Sequence, residues 1–212
     1  MRMTAAEPVI VIHGLWMQGL VMGLLARRIR DAGLAAHTWS YPTLRQSLAE
    51  NADRLARHCH ALAAPRVHIV AHSMGGLVAL CMLERHHELR CGRLVLVGTP
   101  YGDSFSARRL ARFPGGPRLL GRSICEWLVG PRPRPRGDTE IGIIAGTRGF
   151  GLGRLVAPDL PRPNDGVVTL AETEVPGVTA RVELGVGHTE MLLSRAVARQ
   201  CCAFLRHGRF GA

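Results

Sequence analysis

Short apolar runs alternate with longer amphipathic segments along most of the chain. Each run has the length of a strand and is apolar throughout, which is typical of strands buried on both faces of a parallel sheet. The segments between them repeat apolar residues at helical spacing, and the first ends at Gly33. The pattern predicts strands at residues 8–13, 35–41, 67–71 and 93–97, and helices at residues 17–32, about 46–62 and 74–87.

The alternation stops between Tyr101 and Asp138, where glycine, proline and arginine dominate. The run PRPRPRG within it must be extended, and a short helix is predicted only around residues 124–129. We interpret this segment as a cap or lid inserted into the domain. Strands then resume at residues 140–145 and 179–184, and a helix at residues 190–206 closes the chain. The whole predicts one α/β domain with about six strands and helices on both faces.

Composition fits one water-soluble domain of 212 residues. The chain has no apolar run near the roughly 20 residues of a membrane-spanning helix, and its first residues leave no room for a signal peptide. Six cysteines occur without a C-x-x-C pair, which fits neither a disulfide framework nor a zinc module. These features together predict a cytoplasmic protein with reduced thiols.

The net charge of +11 comes entirely from arginine, since all 27 basic residues are Arg. Biased codon usage explains the lack of lysine as well as function does. The arginines nevertheless cluster in the insertion, where Glu126 is the single acid among them, and such a patch would attract an anionic membrane surface or phosphates. Nucleic acid is not an expected partner, because no nucleic-acid module or interleaved aromatic residue is present. The cluster comprises Arg108, Arg109, Arg112, Arg118, Arg122, Arg132, Arg134 and Arg136.

Ser73 lies between a predicted strand and a predicted helix, in the sequence AHSMGG. Two interpretations compete: a nucleophile on a tight strand-to-helix turn, or a serine that caps a buried helix. The turn needs small residues two before and two after the serine, because the backbones nearly touch there. Ala71 and Gly75 meet that need, although the first position is more often glycine.

Other chemistry-bearing residues also follow predicted strands, where an α/β sheet places its ligands. His13 and Gly14 follow the first strand, Asp165 lies beyond the fifth, and His188 follows the last. A serine nucleophile needs a general base, and the base needs a carboxylate that fixes its tautomer. Asn164 and Gly166 permit a tight turn at Asp165. The other acids considered for that place are Asp103, Asp138, Asp159, Glu172 and Glu174.

Five segments resemble those of α/β-hydrolases, and in particular of small bacterial lipases and esterases. They are VIVIHG, AHSMGG, VGTPYGDS, NDGVV and GVGHTEMLLS, and they span nearly the whole chain apart from the insertion. The order Ser, Asp, His also matches that family. The resemblance implies a minimal α/β-hydrolase fold, because the family has two further strands before the one that ends in His-Gly.

The resemblance also implies roles for individual residues. Ser73 would be the nucleophile, His188 the base and Asp165 the acid, and the backbone N–H groups of Leu15 and Met74 would form an oxyanion hole. The expected reaction is hydrolysis of a small-molecule or lipid ester, with no metal or organic cofactor. Apolar residues near the site suggest an acyl pocket that includes Trp16, Met17, Tyr101, Trp127 and Leu128.

Several alternatives stay open at this stage. A thioesterase, amidase or acyltransferase would use the same residues, and a non-catalytic binding module would use none of them. The glycine-rich segment 149–153 is predicted to be a loop rather than a phosphate site, because prolines follow it. His13 and His72 are expected to pack or hydrogen-bond beneath the site. His58, His60, His86 and His87 lack partners at metal-ligand spacing.

Overall fold

The computed structural model describes residues 7–134, 139–151 and 153–211. Its core is a six-stranded sheet in which every neighbouring pair of strands is parallel. The strand order is β2-β1-β3-β4-β5-β6. The predicted parallel sheet with helices on both faces is confirmed. The strands are β1 (Pro8–Ile12), β2 (Ala35–Trp39), β3 (Val67–His72), β4 (Cys91–Val97), β5 (Glu140–Gly146) and β6 (Ala180–Leu184).

Helices cover the two faces of the sheet and bury alternate residues of its strands. Ile10 and Ile12 of β1 belong to one hydrophobic cluster, whereas Val9 and Val11 belong to the other. Because successive side chains of a strand point to opposite faces, a strand buried on both faces must be apolar at every position. The helices are α1 (Gly23–Asp31), α2 (Leu48–Ala61), α3 (Met74–Arg85), α4 (Phe105–Ala111), α5 (Gly116–Val129), α6 (Gly153–Val156) and α7 (Arg195–His207).

The first and last helices are shorter than predicted. A 3₁₀ turn at Gly19–Met22 precedes α1, and another at Glu190–Leu192 precedes α7. Ser194 caps α7 by accepting a hydrogen bond from the Val197 N–H. The apolar spacing continues across these turns, so periodicity alone does not separate them from the helices.

The insertion carries two helices, so the prediction of one short helix around residues 124–129 is wrong. Ser104 caps α4 by accepting from the Ala107 N–H, and α5 has a proline in its first turn. Gly121 kinks α5 with a positive φ of 74°, where an added Cβ would lie 2.5 Å from Leu44 Cα. The kink divides the apolar pattern of α5, which explains why only its second half was predicted. Residues 135–138 of the insertion, with Arg136 and Asp138, lie outside the described residues.

Within the described ranges, none of the helices combines the length and the hydrophobicity that crossing a lipid bilayer would require.

Candidate active site

The predicted site residues meet around a cavity at the carboxyl edge of the sheet. Ser73 directly follows β3, Gly14 and Leu15 follow β1, and His188 follows β6. Parallel strands end at the same edge, so residues from distant parts of the chain converge there. The cavity has a volume of about 170 Å³. Its lining includes Gly14, Leu15, Trp16, Met17, His72, Ser73, Met74, Leu110, Leu120, Ile124, Trp127, Val156, Val167, Val168 and His188.

Ser73 adopts a strained backbone conformation, with φ 53° and ψ −126°. A positive φ is uncommon for a residue with a Cβ and persists only where the surrounding structure enforces it. The Ser73 N–H donates to the Val97 carbonyl oxygen at 2.9 Å, which ties the turn to β4. Its side chain makes no capping hydrogen bond to α3. Ser73 thus occupies the position just before α3, but its hydroxyl does not cap the helix.

Glycine is required both in this turn, at Gly75, and in the loop packed against it, at Gly14. A Cβ on Gly75 would lie 2.6 Å from the His13 carbonyl oxygen, and a Cβ on Gly14 would lie 2.9 Å from Ser73 Cβ. Real Cβ atoms do not approach other atoms so closely, so a larger residue would push the serine turn away from the loop after β1. The turn and this loop therefore form one closely packed unit.

Asp165 and His188 form a buried hydrogen-bonded pair. His188 Nδ1 lies 2.7 Å from Asp165 Oδ2, and the two residues are 6% and 1% exposed respectively. Asp165 Oδ1 accepts from the backbone N–H groups of Val167 at 2.9 Å and Val168 at 2.7 Å. The His188 N–H also donates to the Asp165 carbonyl oxygen. One carboxylate oxygen is thus fixed by the loop, and the other holds the imidazole.

Three of the other acids considered for this place, Asp103, Asp159 and Glu172, have different partners. Asp103 pairs with Arg108, and Asp159 pairs with Arg109. Glu172 accepts from the N–H groups of Thr169 and Phe105, and burial raises its pKa. Asp165 is the acid that contacts His188 in the described part of the chain.

Ser73 and His188 line the same cavity, but no hydrogen bond joins their side chains in the described part of the chain. Such bonds are often long in enzymes without substrate and tighten when substrate binds. Because Nδ1 of His188 faces Asp165, Nε2 is the nitrogen left for a partner in the cavity. The contact with Asp165 thus fixes the orientation of the ring.

The two residues predicted to supply backbone N–H groups, Leu15 and Met74, both line the cavity. Met74 is the first residue of α3, so its N–H has no acceptor one turn earlier in the helix. Leu15 follows Gly14 on the neighbouring loop. The positive end of the α3 dipole adds to the field at this point.

The insertion supplies much of the apolar wall. Trp16, Met17 and Trp127 line the cavity, as the sequence predicted for an acyl pocket. Tyr101 and Leu128 instead pack into the hydrophobic core and do not belong to the lining. Their sequence positions beside the site did not show in which direction their side chains point.

The buried residues His72 and His13 hold the loops that carry the site. His72 Nε2 lies 3.1 Å from the His188 carbonyl oxygen, so His72 holds the loop that carries His188. The His13 ring stacks on Tyr41 at 4.5 Å, and the Tyr41 hydroxyl donates to the His13 carbonyl oxygen at 3.0 Å. Burial lowers the pKa of both histidines, that of His72 well below its ordinary value. Both rings are therefore neutral supports.

Sequence reasoning did not identify Glu172 as a support. Its carboxylate joins the start of α4 to the loop that carries Asp165, and its carbonyl oxygen accepts from the Tyr101 and Gly102 N–H groups. The TPYGDS segment after β4 gave no sign of these contacts, because they join residues about 70 positions apart.

Four of the eight clustered arginines, namely Arg108, Arg109, Arg122 and Arg132, have acidic partners within the described residues. Arg108 and Arg109 are paired as described above, and Arg122 lies 3.1 Å from Glu50 and 2.7 Å from Glu126. By contrast, the exposed Arg112 and Arg118 have no ion pair within the described residues. The positive surface is therefore smaller than the sequence cluster suggested.

Comparison with known proteins agrees with this architecture. Residues 34–118 match the family model described as alpha/beta hydrolase fold. A sequence search of curated proteins gives no match.

Three solved structures illustrate the likeness. The lipase BlEst2 of Bacillus licheniformis in its mature form is 19% identical, with a TM-score of 0.72 over 91% of this chain and 89% of that one. The metagenomic carboxyl esterase MGS0156 is 19% identical, with a TM-score of 0.67 over 90% and 67%. The carboxylesterase CesB of Bacillus subtilis is 15% identical, with a TM-score of 0.57 over 94% and 83%. With its parallel sheet and its serine turn after β3, the chain is a protein of the α/β-hydrolase fold.

Proposed function

We propose that this protein hydrolyses carboxylic esters through an acyl-enzyme formed on Ser73. The observation that carries the proposal is the buried hydrogen bond between His188 Nδ1 and Asp165 Oδ2, which orients the imidazole in the same cavity as a strained serine. A free serine hydroxyl is a weak nucleophile, and this arrangement supplies the base it needs. The similar structures titled lipase and carboxylesterase support the same class of reaction.

The proposed steps use the side chains of Ser73, His188 and Asp165. Ser73 Oγ attacks the ester carbonyl carbon while His188 Nε2 takes the hydroxyl proton, and Asp165 stabilises the resulting imidazolium. The tetrahedral intermediate collapses as His188 returns the proton to the alcohol, which leaves. Water then attacks the acyl-enzyme with the same base, releases the acid and restores Ser73.

The backbone N–H groups of Leu15 and Met74 would stabilise the oxyanion. Both come from the closely packed unit of the Ser73 turn and the Gly14 loop, so their separation is fixed before substrate binds. A preorganised donor of this kind is typically worth about 3 kcal/mol of activation free energy.

The cavity wall favours an apolar acyl group. Met17, Leu110, Ile124 and Trp127 surround the space beside Ser73, and no charged side chain lines it in the described part of the chain. We propose esters with short to medium acyl chains as substrates. The acyl group of a thioester or an amide would contact the same apolar residues, because these substrates differ from esters only in the leaving group.

Hydrolysis of p-nitrophenyl esters of increasing acyl length tests the proposal. We expect a burst of one p-nitrophenol per active site, because p-nitrophenolate is a good leaving group and the acyl-enzyme should form faster than water releases it. We also expect higher kcat/KM for butyrate to octanoate than for acetate. The burst should vanish in Ser73→Ala. Matched thioester and anilide substrates measure the leaving-group preference, and faster turnover of these would replace the ester assignment. The absence of turnover and burst in folded protein would favour a binding module.

A second proposal concerns the mouth of the cavity, where apolar and basic side chains are exposed together. Trp16 Nε1 donates to the Leu119 carbonyl oxygen at 2.7 Å, and the Arg122 N–H donates to the Leu44 carbonyl oxygen at 2.9 Å, which places these segments side by side. Trp16 and Leu119 are more than half exposed. Their neighbours Arg45 and Arg118 are exposed and lack ion pairs within the described ranges. We call Trp16, Leu44, Arg45, Arg118 and Leu119 the rim.

We propose that the rim binds an anionic lipid surface. Apolar side chains would enter the interface while arginines contact acidic headgroups. Co-sedimentation with phosphatidylglycerol vesicles should fall several-fold in the Arg45→Gln, Arg118→Gln double variant. Arg90→Gln, which removes an exposed charge before β4 at the opposite edge of the sheet, is the matched control. Equal binding by the double variant and the control would refute the proposal.

A further inference from the structure

Two histidines contact each other outside the candidate active site, beside the outermost strand β2. His37 lies on β2, the first strand in the sheet order, and His58 lies on α2. Their Nε2 atoms are 3.1 Å apart. Both side chains are partly exposed, so an ion from solvent can reach them. Neither residue lines the cavity that contains Ser73.

The separation of the two nitrogen atoms suits a shared metal ion. Metal–nitrogen bonds of about 2.0–2.1 Å at angles of about 90–110° place two ligand nitrogens roughly 2.9–3.4 Å apart. The observed 3.1 Å lies within that range. The separation of the two Nε2 atoms therefore matches that of two imidazole ligands on one metal ion.

A neutral imidazole can donate one ring-nitrogen lone pair to a metal ion. Without metal, Nε2–H of one ring donates to Nε2 of the other. On metal binding that hydrogen moves to Nδ1 of its own ring, so both Nε2 lone pairs face the ion and no net proton is released.

We propose that His37 and His58 form a binding site for one divalent transition-metal ion of the zinc or copper type. Imidazole nitrogen favours these ions over calcium and magnesium. In the described part of the chain no group of three His, Cys, Asp or Glu side chains could hold a metal, so water completes the coordination. The site is thus open and exchangeable rather than a closed structural one.

A stack of aromatic rings connects the site to the loop beside Ser73. Trp39 stacks on His58 with 5.9 Å between ring centroids, Tyr41 lies 5.5 Å from Trp39, and His13 lies 4.5 Å from Tyr41. The stack places an indole directly against one of the two ligands. Trp39 fluorescence therefore reports on occupation of the site.

Calorimetric titration of tag-free protein with Zn²⁺ at pH 7.5 tests the proposal. We expect one saturable site in the wild type and at least a tenfold weaker Kd in both His37→Gln and His58→Gln. His60→Gln is the matched control, because His60 is exposed on the same helix two residues further on. Unchanged affinity in either variant of the pair, or equal loss in the control, would overturn the proposal.

A second measurement needs no change to the two histidines and so holds even if a variant fails to fold. Cu²⁺ should quench tryptophan fluorescence saturably, chelation by EDTA should reverse it, and excess Zn²⁺ should compete. In Trp39→Phe the quenching should fall by more than half, while Zn²⁺ still binds by calorimetry. Quenching that is non-saturable, or that persists fully in Trp39→Phe, would contradict the site.

Discussion

The sheet carries two buried histidine–carboxylate pairs, one near the carboxyl ends of its strands and one near their amino ends. At the carboxyl edge, His188 Nδ1 lies 2.7 Å from Asp165 Oδ2. Near the amino edge, His68 on β3 has its Nε2 atom 3.2 Å from Glu7 Oε2. Both histidines are less than a tenth exposed. The pairs are alike in composition and burial, yet we assign chemistry to only one of them.

The difference lies in the second ring nitrogen. His68 Nδ1 accepts from the Arg93 backbone N–H at 3.0 Å, so both of its nitrogens are engaged. Gly92 also packs against the ring so closely that a Cβ there would lie 2.5 Å from His68 Cε1. His188 instead leaves Nε2 in a cavity that it shares with Ser73. A histidine–carboxylate pair can thus serve structure or catalysis, and the free nitrogen decides which.

The largest effect should come from His188→Gln, which removes the proposed general base. We expect kcat/KM for p-nitrophenyl butyrate to fall about 10⁵-fold, since loss of the base in a serine hydrolase costs nearly as much as loss of the whole triad. The unfolding midpoint should change far less than the activity, because the amide of the substituted glutamine can still donate a hydrogen bond to Asp165. A loss below tenfold would contradict the role of His188.

Asp165→Asn should follow, with a fall in kcat of about 10⁴-fold. The amide keeps the shape of the carboxylate but cannot stabilise an imidazolium, and it favours the wrong tautomer of His188. Stopped-flow acylation rates measure this directly. Asp159→Asn, which alters an exposed acid paired with Arg109, is the control and should keep wild-type rates.

His68→Leu should lower stability and leave catalytic activity nearly unchanged. The substitution removes the ring whose Nδ1 accepts from the Arg93 N–H and whose Nε2 contacts Glu7, so we expect a loss of about 2 kcal/mol in the free energy of unfolding. Urea denaturation measures that loss. Esterase activity of the folded fraction should stay within about threefold of wild type, and a larger decrease would show that the two edges are coupled.

Lowering the pH should change the free energy of unfolding through His68, and we expect this effect to be the smallest. Burial lowers the pKa of His68 below its ordinary 6.5, so below that pH the unfolded chain binds a proton that the folded chain resists. Its contribution to stability is therefore complete above pH 6.5 and is lost as pH falls toward the lowered pKa. The free energy of unfolding should decrease between pH 7.5 and 5.5, with a shallower slope in His68→Leu. Parallel slopes would refute this assignment.

Much of the architecture could be predicted from the sequence because strands buried on two faces are apolar throughout. The central strands β1, β3, β4 and β5 are mostly apolar and buried and follow from that signal, whereas the edge strands β2 and β6 contain polar residues and are only partly buried. The two helices of the insertion were largely missed, since α4 has only seven residues and Gly121 interrupts α5. Short or kinked helices depend on caps and on tertiary contacts more than on periodicity.

The general location of the candidate site could be predicted, because the carboxyl ends of parallel strands lie together at one side of the sheet. His188 and Asp165 could be placed at the right edge, but their contact and the support from His72 depend on loops that are distant in sequence. The His37–His58 contact was likewise invisible, because a strand residue meets a helix residue across 21 positions. Such contacts arise from packing, which single-sequence patterns do not encode.

The most direct test of the central claim is labelling with a fluorophosphonate probe, followed by mass spectrometry of the modified peptide. The probe reacts with serines that are activated by a base, so the account predicts stoichiometric labelling at Ser73 in the wild type. Labelling should disappear in Ser73→Ala, fall sharply in His188→Gln and persist in His68→Leu. Folded wild-type protein that resists the probe, or that is labelled at another residue, would contradict the account.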